Sequence, residues 1–187
     1  MPANDYHFIT HWRVAGTVHE VADVLNDAKA LMRWWPSVYL NVQELEPGDA
    51  RGVGKLVSVY TKGWLPYTLR WQFRVTESRY PYGFSLQALG DFDGHGVWTF
   101  EPDGAQVKIT YDWRIRADKP MLRALSFLLK PIFAANHRWA MARGEESLKL
   151  ELMRRRARTP EEAARIPLPP GPTFPHNLQR SKAVTSS

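Results

Sequence analysis

Residues 107–156 read VKITYDWRIRADKPMLRALSFLLKPIFAANHRWAMARGEESLKLELMRRR. In the first nine, Val107, Ile109, Tyr111, Trp113 and Ile115 alternate with polar residues. That period of two marks a strand with one buried face. From Asp118 the period becomes helical. Asp118 suits an N-cap and Pro120 a first helical turn. Leu122, Leu125, Leu129, Ile132, Asn136, Ala140, Gly144, Leu148 and Leu152 then fall near one stripe. Pro131 cannot donate to the Phe127 carbonyl, so a kink or break is expected there, with the helix continuing to about Arg156.

Upstream, the alternation repeats. Strands are expected over residues 6–15, 38–45, 55–62, 68–76, 84–89 and 96–101, with turns at Glu46–Asp49, Pro81–Gly83, Gly90–Gly94 and Pro102–Gly104. In 68–76, Leu69, Trp71, Phe73 and Val75 oppose Arg70, Gln72 and Arg74, as in a half-buried antiparallel strand. Two short helices interrupt the series after the first strand. Thr17 and Glu20 form a capping-box pattern ahead of Val18, Val21, Ala22 and Leu25, and residues 28–35 make a second helix that Pro36 ends. The order is strand, two short helices, six strands, long helix. This predicts an α+β fold, in which a seven-stranded curved antiparallel sheet wraps around the long C-terminal helix.

The 187 residues suit one domain with a tail. Residues 1–156 are expected to form the domain. Residues 157–187 read as a flexible or surface-draped, Pro-rich basic tail, because six of the 14 prolines lie between Pro160 and Pro175. The net charge of +6 belongs to the same end: residues 154–187 hold seven basic and two acidic side chains. The rest is nearly neutral, which argues against a nucleic-acid face. There is no cysteine, hence no disulfide, thiolate metal site or cysteine nucleophile. The N-terminus lacks the basic and apolar regions of a signal peptide. The apolar stretch 121–142 is interrupted by Arg123, Lys130, Pro131 and Arg138. A cytoplasmic location and no stable membrane insertion are therefore expected.

Several local strings carry a resemblance. Gly90-Asp91-Phe92-Asp93-Gly94 followed by Gly96-Val97-Trp98-Thr99-Phe100, the run Val107–Trp113, and Asn136-His137-x-Trp139-x-Met141-x-x-Gly144 resemble the hairpin, last strand and C-terminal helix of bacterial polyketide cyclase-like proteins. These belong to the START/polyketide cyclase (SRPBCC, helix-grip) superfamily, which also includes lipid-transfer domains. The resemblance spans about residues 5–155. It implies an internal cavity for an apolar or aromatic small molecule and no fixed cofactor.

Within that frame, Trp35, Trp71, Phe73, Phe84, Trp98, Tyr111 and Trp113 are candidate cavity-lining residues, although aromatics fill a solid core equally well. Asn136 and His137 are candidate polar contacts. His137 is the candidate acid or base if a reaction occurs, and the alternative is that both satisfy buried backbone or face solvent. Trp34-Trp35-Pro36 and residues 62–67 read as loop aromatics that gate an entrance or pack as a lid. Asp91, Asp93 and His95 share a strand face, but their flanking glycines favour a hairpin over a metal site. Asp91 alone is a candidate at a cavity mouth. Arg154-Arg155-Arg156 suits a solvated helix end better than an anionic lipid surface. Three functions follow. One is binding of a hydrophobic ligand, and another is an aromatic polyketide cyclase/dehydratase-type reaction. The third is recruitment of a polyproline-reading partner by the tail, which would go with a filled core.

Overall fold

The computed structural model describes residues 5–117 and 120–173. Strand β1 (Asp5–Ala15) is followed by α1 (Val18–Leu25), a single 3-10 turn (Ala28–Ala30) and α2 (Leu31–Trp34). Six strands follow: β2 (Tyr39–Glu46), β3 (Leu56–Lys62), β4 (Thr68–Ser78), β5 (Gly83–Gly90), β6 (Phe92–Asp103) and β7 (Gln106–Ala117). The chain ends in α3 (Pro120–Arg156) and α4 (Pro160–Arg165). Thr17 caps α1 through the reciprocal bonds of a capping box with Glu20.

The seven strands form one antiparallel sheet in the order β1-β7-β6-β5-β4-β3-β2. Sequential hairpins build it from β2 to β7, and β1 closes the far edge against β7. The α1–α2 segment therefore carries the chain from one edge to the other. Register shifts in the β2–β3 and β4–β5 ladders mark bulges, which bend strands and increase twist. The sheet curves, and α3 lies across its open side.

The C-terminal half of α3 is fastened tightly. Glu151 is fully buried and takes both Arg33 guanidinium nitrogens, at 2.7 and 2.8 Å, and Arg155 Nε at 2.8 Å. Burial pushes the Glu151 carboxyl up, but the two guanidiniums hold it below the ordinary carboxylate range. Arg156 bonds Glu20 at 2.6 Å and the Ala15 carbonyl at 2.9 Å. The Arg13 amide donates to Glu145 on α3. A methyl group on Gly144 would lie 2.3 Å from the Trp35 ring, so the missing side chain sets this close approach.

Four expectations change in detail. β6 begins at Phe92, so the turn expected over Gly90–Gly94 shrinks to the neighbourhood of Asp91. The glycines belong to the ladder, because Tyr111 and Trp113 lie over Gly96, where a methyl would sit 2.8 Å from both rings. α3 runs through Pro131 without a break, and its Asp118 cap lies outside the described residues. The expected stripe is buried at Asn136, Gly144, Leu148 and Leu152 and widens to take in Met141 and Glu151, but Ile132 is exposed. Finally, α4 falls in the region read as a tail. Thr159 caps it by accepting from the Glu162 amide, and Pro160 occupies its first turn.

Two stability outcomes are expected. Gly144→Val forces a side chain into the Trp35 ring and should cost about 1–3 kcal/mol, read as a thermal midpoint several degrees lower. Ending the chain after Arg158 removes α4, none of whose residues is buried, together with everything after it, and should move the midpoint by less than about 3 °C.

Candidate ligand cavity

A cavity of about 200 Å³ lies between the concave sheet and the middle of α3. All nine residues singled out from the sequence border it: Trp35, Trp71, Phe73, Phe84, Trp98, Tyr111, Trp113, Asn136 and His137. Alternation explains the convergence. Trp71 and Phe73 on β4, Phe84 on β5, Trp98 on β6 and Tyr111 and Trp113 on β7 occupy the inward parity of adjacent strands. Their rings form a continuous wall. Trp98 and Tyr111 stack with centroids 4.0 Å apart, Tyr111 and Trp113 at 5.5 Å, and Trp71 and Trp113 at 5.7 Å. Trp71 Nε1 donates to Thr61 Oγ1 at 3.0 Å.

The helix side supplies Phe133, Asn136, His137, Ala140 and Met141. The His137 ring stacks on Phe8 of β1 with centroids 4.2 Å apart. Its Nε2 is buried and has no protein hydrogen-bond partner. Burial, reinforced by the neighbouring Arg138, pulls the imidazole down to about 4, so it is neutral near pH 7. Asn136 serves the chain itself: its Oδ1 accepts from the Leu65 amide at 3.1 Å and pins the Gly63–Tyr67 loop to α3. The buried-backbone alternative thus holds for Asn136, and the loop it pins borders the cavity through Gly63 and Tyr67.

Other sequence candidates fall elsewhere. Trp34 and Trp35 are buried, so they are wall and core rather than a mobile gate. Asp91 accepts from the Arg70 amide at 2.9 Å and Asp93 pairs with Arg116 at 3.0 Å; neither these nor His95 reach the cavity. Among the described residues no His, Asp or Glu cluster converges as a metal site, and no helix is long and apolar enough to cross a membrane. Arg154 donates to the Ile166 and Pro167 carbonyls, Arg155 pairs with Glu151 and Arg156 with Glu20, so this triplet is engaged within the fold.

Sequence reasoning did not single out Tyr6, Phe8, Tyr39 and Phe133, which border the cavity; Lys62 and Tyr67, which also border it, fall in the stretch read as a gate or lid. Tyr6 and Phe8 were accessible from the β1 alternation, which puts both on the face of Trp12 and Val14. Burial pushes the Tyr39 and Tyr111 phenols well above their ordinary value and Tyr67 up to about 12, so all three remain O–H donors. Tyr6 Oη and Trp35 Nε1, like His137 Nε2, are buried without a protein partner.

The depressed His137 sets a pH dependence. A group whose folded value lies below its unfolded value supports the fold fully above the unfolded value, near 6.5, and loses that support as the pH falls toward about 4. Between pH 7.5 and 4.5 the unaltered protein should lose roughly 2–3 kcal/mol more stability than His137→Gln, by denaturant titration at both pH values. Equal losses would show that the imidazole is not held neutral.

Comparison with known proteins agrees with this architecture. A sequence model of the family described as polyketide cyclase / dehydrase and lipid transport matches residues 8–152. No curated protein matches. Among solved structures, a Thermus thermophilus protein superposes with a TM-score of 0.66 at 13% identity, covering 81% of this chain and all of that one. An aromatase/cyclase from Streptomyces superposes with a TM-score of 0.64 at 17% identity, covering 82% of this chain and 97% of its own. The di-domain ARO/CYC protein BexL gives 0.58 at 12% identity, with 84% of this chain matching 52% of that longer one. At such identities the structures speak for the fold alone. The family match spans most of the chain, and this protein belongs to the polyketide cyclase/dehydrase and lipid transport family.

Proposed function

We propose that this protein binds a hydrophobic or aromatic small molecule in the cavity between its sheet and α3. One observation carries the reading: an aromatic-walled space bordered by Tyr6, Trp35 and His137, each of which holds a buried polar atom without a protein hydrogen-bond partner. Close-packed interiors rarely leave such a space, and buried donors are rarely left unmet. A ligand meets both conditions at once, by filling the volume and accepting from the donors. Apolar burial would supply most of the affinity, and the few polar groups would orient the molecule.

A cyclase/dehydratase-type reaction with His137 as acid or base is the alternative. The binding reading is favoured because an imidazole held near 4 is a weak base at neutral pH. In addition, no side chain orients its Nε2. The Gly63–Tyr67 loop would then act as the entrance, with Asn136 as its latch.

Neutral 2-naphthol provides the test, with quenching of tryptophan fluorescence as the readout. It should bind saturably to the unaltered chain. Ala140→Phe, which puts a ring into the space, should weaken binding at least 10-fold. His137→Ala should weaken it by about 1–3 kcal/mol if Nε2 meets the hydroxyl. Binding unchanged by Ala140→Phe would place the ligand outside the cavity.

A further inference from the structure

The Pro-rich segment that follows α4 is tied to the domain at both ends. At its start, Arg154 Nη2 on α3 donates to the Ile166 carbonyl at 3.4 Å and to the Pro167 carbonyl at 2.9 Å. At its far end, Thr173 Oγ1 donates to the Trp64 carbonyl at 3.2 Å. Between these anchors Pro167, Pro169, Pro170 and Pro172 restrict φ and stiffen the span. Ile166, Pro169, Pro170 and Pro172 are half-buried, whereas Pro167, Leu168 and Gly171 are exposed. The segment therefore lies along the surface with one side against the domain.

The far anchor falls on the loop that borders the cavity. Gly63 and Tyr67 line the space, and Trp64 and Leu65 lie between them in sequence. That loop is held from two directions. From α3, Asn136 Oδ1 accepts from the Leu65 amide at 3.1 Å, and a methyl on Gly63 would sit 2.2 Å from the same side chain. From the C-terminal segment, Thr173 donates to the adjacent carbonyl, that of Trp64. The first tie comes from a buried side chain of the main helix. The second comes from a stretch in which neither α4 nor the described residues after it are buried. A contact with so little buried area opens locally, without unfolding the domain.

We propose that residues 166–173 form a strap that holds the Gly63–Tyr67 loop closed over the cavity, and that release of Thr173 from Trp64 admits and discharges the ligand. This rests on the binding function proposed above and adds control of exchange to it. The prolines suit the role, because a stiff segment gains little chain entropy when one end detaches. No described strap residue borders the cavity. The strap therefore makes no differential contact with the ligand, and it alters entry and exit together while leaving affinity nearly unchanged.

Two readouts test this: native-state hydrogen exchange of the Leu65 amide, which needs no ligand, and stopped-flow exchange of 2-naphthol followed by tryptophan fluorescence. They are compared on the full chain, on Thr173→Val, and on chains ended after Arg165, without the strap, and after Pro175, with it. Ending after Arg165 should speed Leu65 exchange at least about 5-fold while the β4 amides keep their rates. It should raise association and dissociation of 2-naphthol by a like factor, with Kd within about 2-fold. Thr173→Val, which removes one hydrogen bond and keeps the whole chain, should raise all three rates about 2-fold or more, and it decides if the shortened chain does not fold. The chain ended after Pro175 should behave as the full one. Unchanged 2-naphthol rates without the strap overturn the gate and leave the cavity function standing; unchanged Leu65 exchange overturns the strap itself. A rise in dissociation alone, with binding weakened to match, makes the tail part of the binding site and overturns the gate. Equal acceleration in the chain ended after Pro175 overturns the assignment to residues 166–173. A full chain that does not bind 2-naphthol overturns the cavity function and the gate with it.

Discussion

The structure depends on how α3 is held over the sheet. Its C-terminal half is fixed at short range by the contact of Gly144 with Trp35 and by the fully buried Glu151 between Arg33 and Arg155. Such a pair is costly to break from one side, because the remaining charge loses its partner. Its middle is held by the stacking of His137 on Phe8 and the bond from the Leu65 amide to Asn136. The cavity borders the same stretch of the helix, between residues 133 and 141.

The aromatic wall keeps the space open. Trp98, Tyr111 and Trp113 stack in series and Trp71 meets Trp113 at a tilt, across three strands, so each ring is braced by its neighbours. Gly96 supplies the flat surface on which two of them rest. Large stacked rings also give the wall most of its binding area. Polar groups are few, buried and placed by rigid elements: Tyr6 on β1, Trp35 at the end of α2, His137 on α3 and Lys62 at the end of β3. None depends on a long loop for its position.

The strand periodicity made most of this legible. Inward parity on β4, β6 and β7 assigned Trp71, Phe73, Trp98, Tyr111 and Trp113 to the concave face before any packing was known. Helical periodicity placed Asn136, Gly144, Leu148 and Leu152 on the buried face of α3 but missed at Ile132, where the neighbouring Phe133 borders the cavity instead. Trp35 was placed both among the wall candidates and among gate aromatics, and the structure puts its buried ring on the wall just past the end of α2. Lys62 was read only as the start of a gate-or-lid stretch, because a lysine closing a strand is ordinarily solvated and only the tertiary fold buries it. The Thr159-Pro160-Glu161-Glu162 start of α4 was present in the sequence as a cap, a first-turn proline and two acids, and was masked by the prolines that follow.

The most direct test follows the eight indole N–H signals of the 15N-labelled protein in a titration with 2-naphthol. The account predicts that the Trp35, Trp71, Trp98 and Trp113 signals move together and saturate. Trp34, which is buried but away from the cavity, and Trp139, whose ring lies beside Arg143, should stay in place. Movement confined to Trp64 or Trp139, or no movement at all, would contradict an internal ligand site.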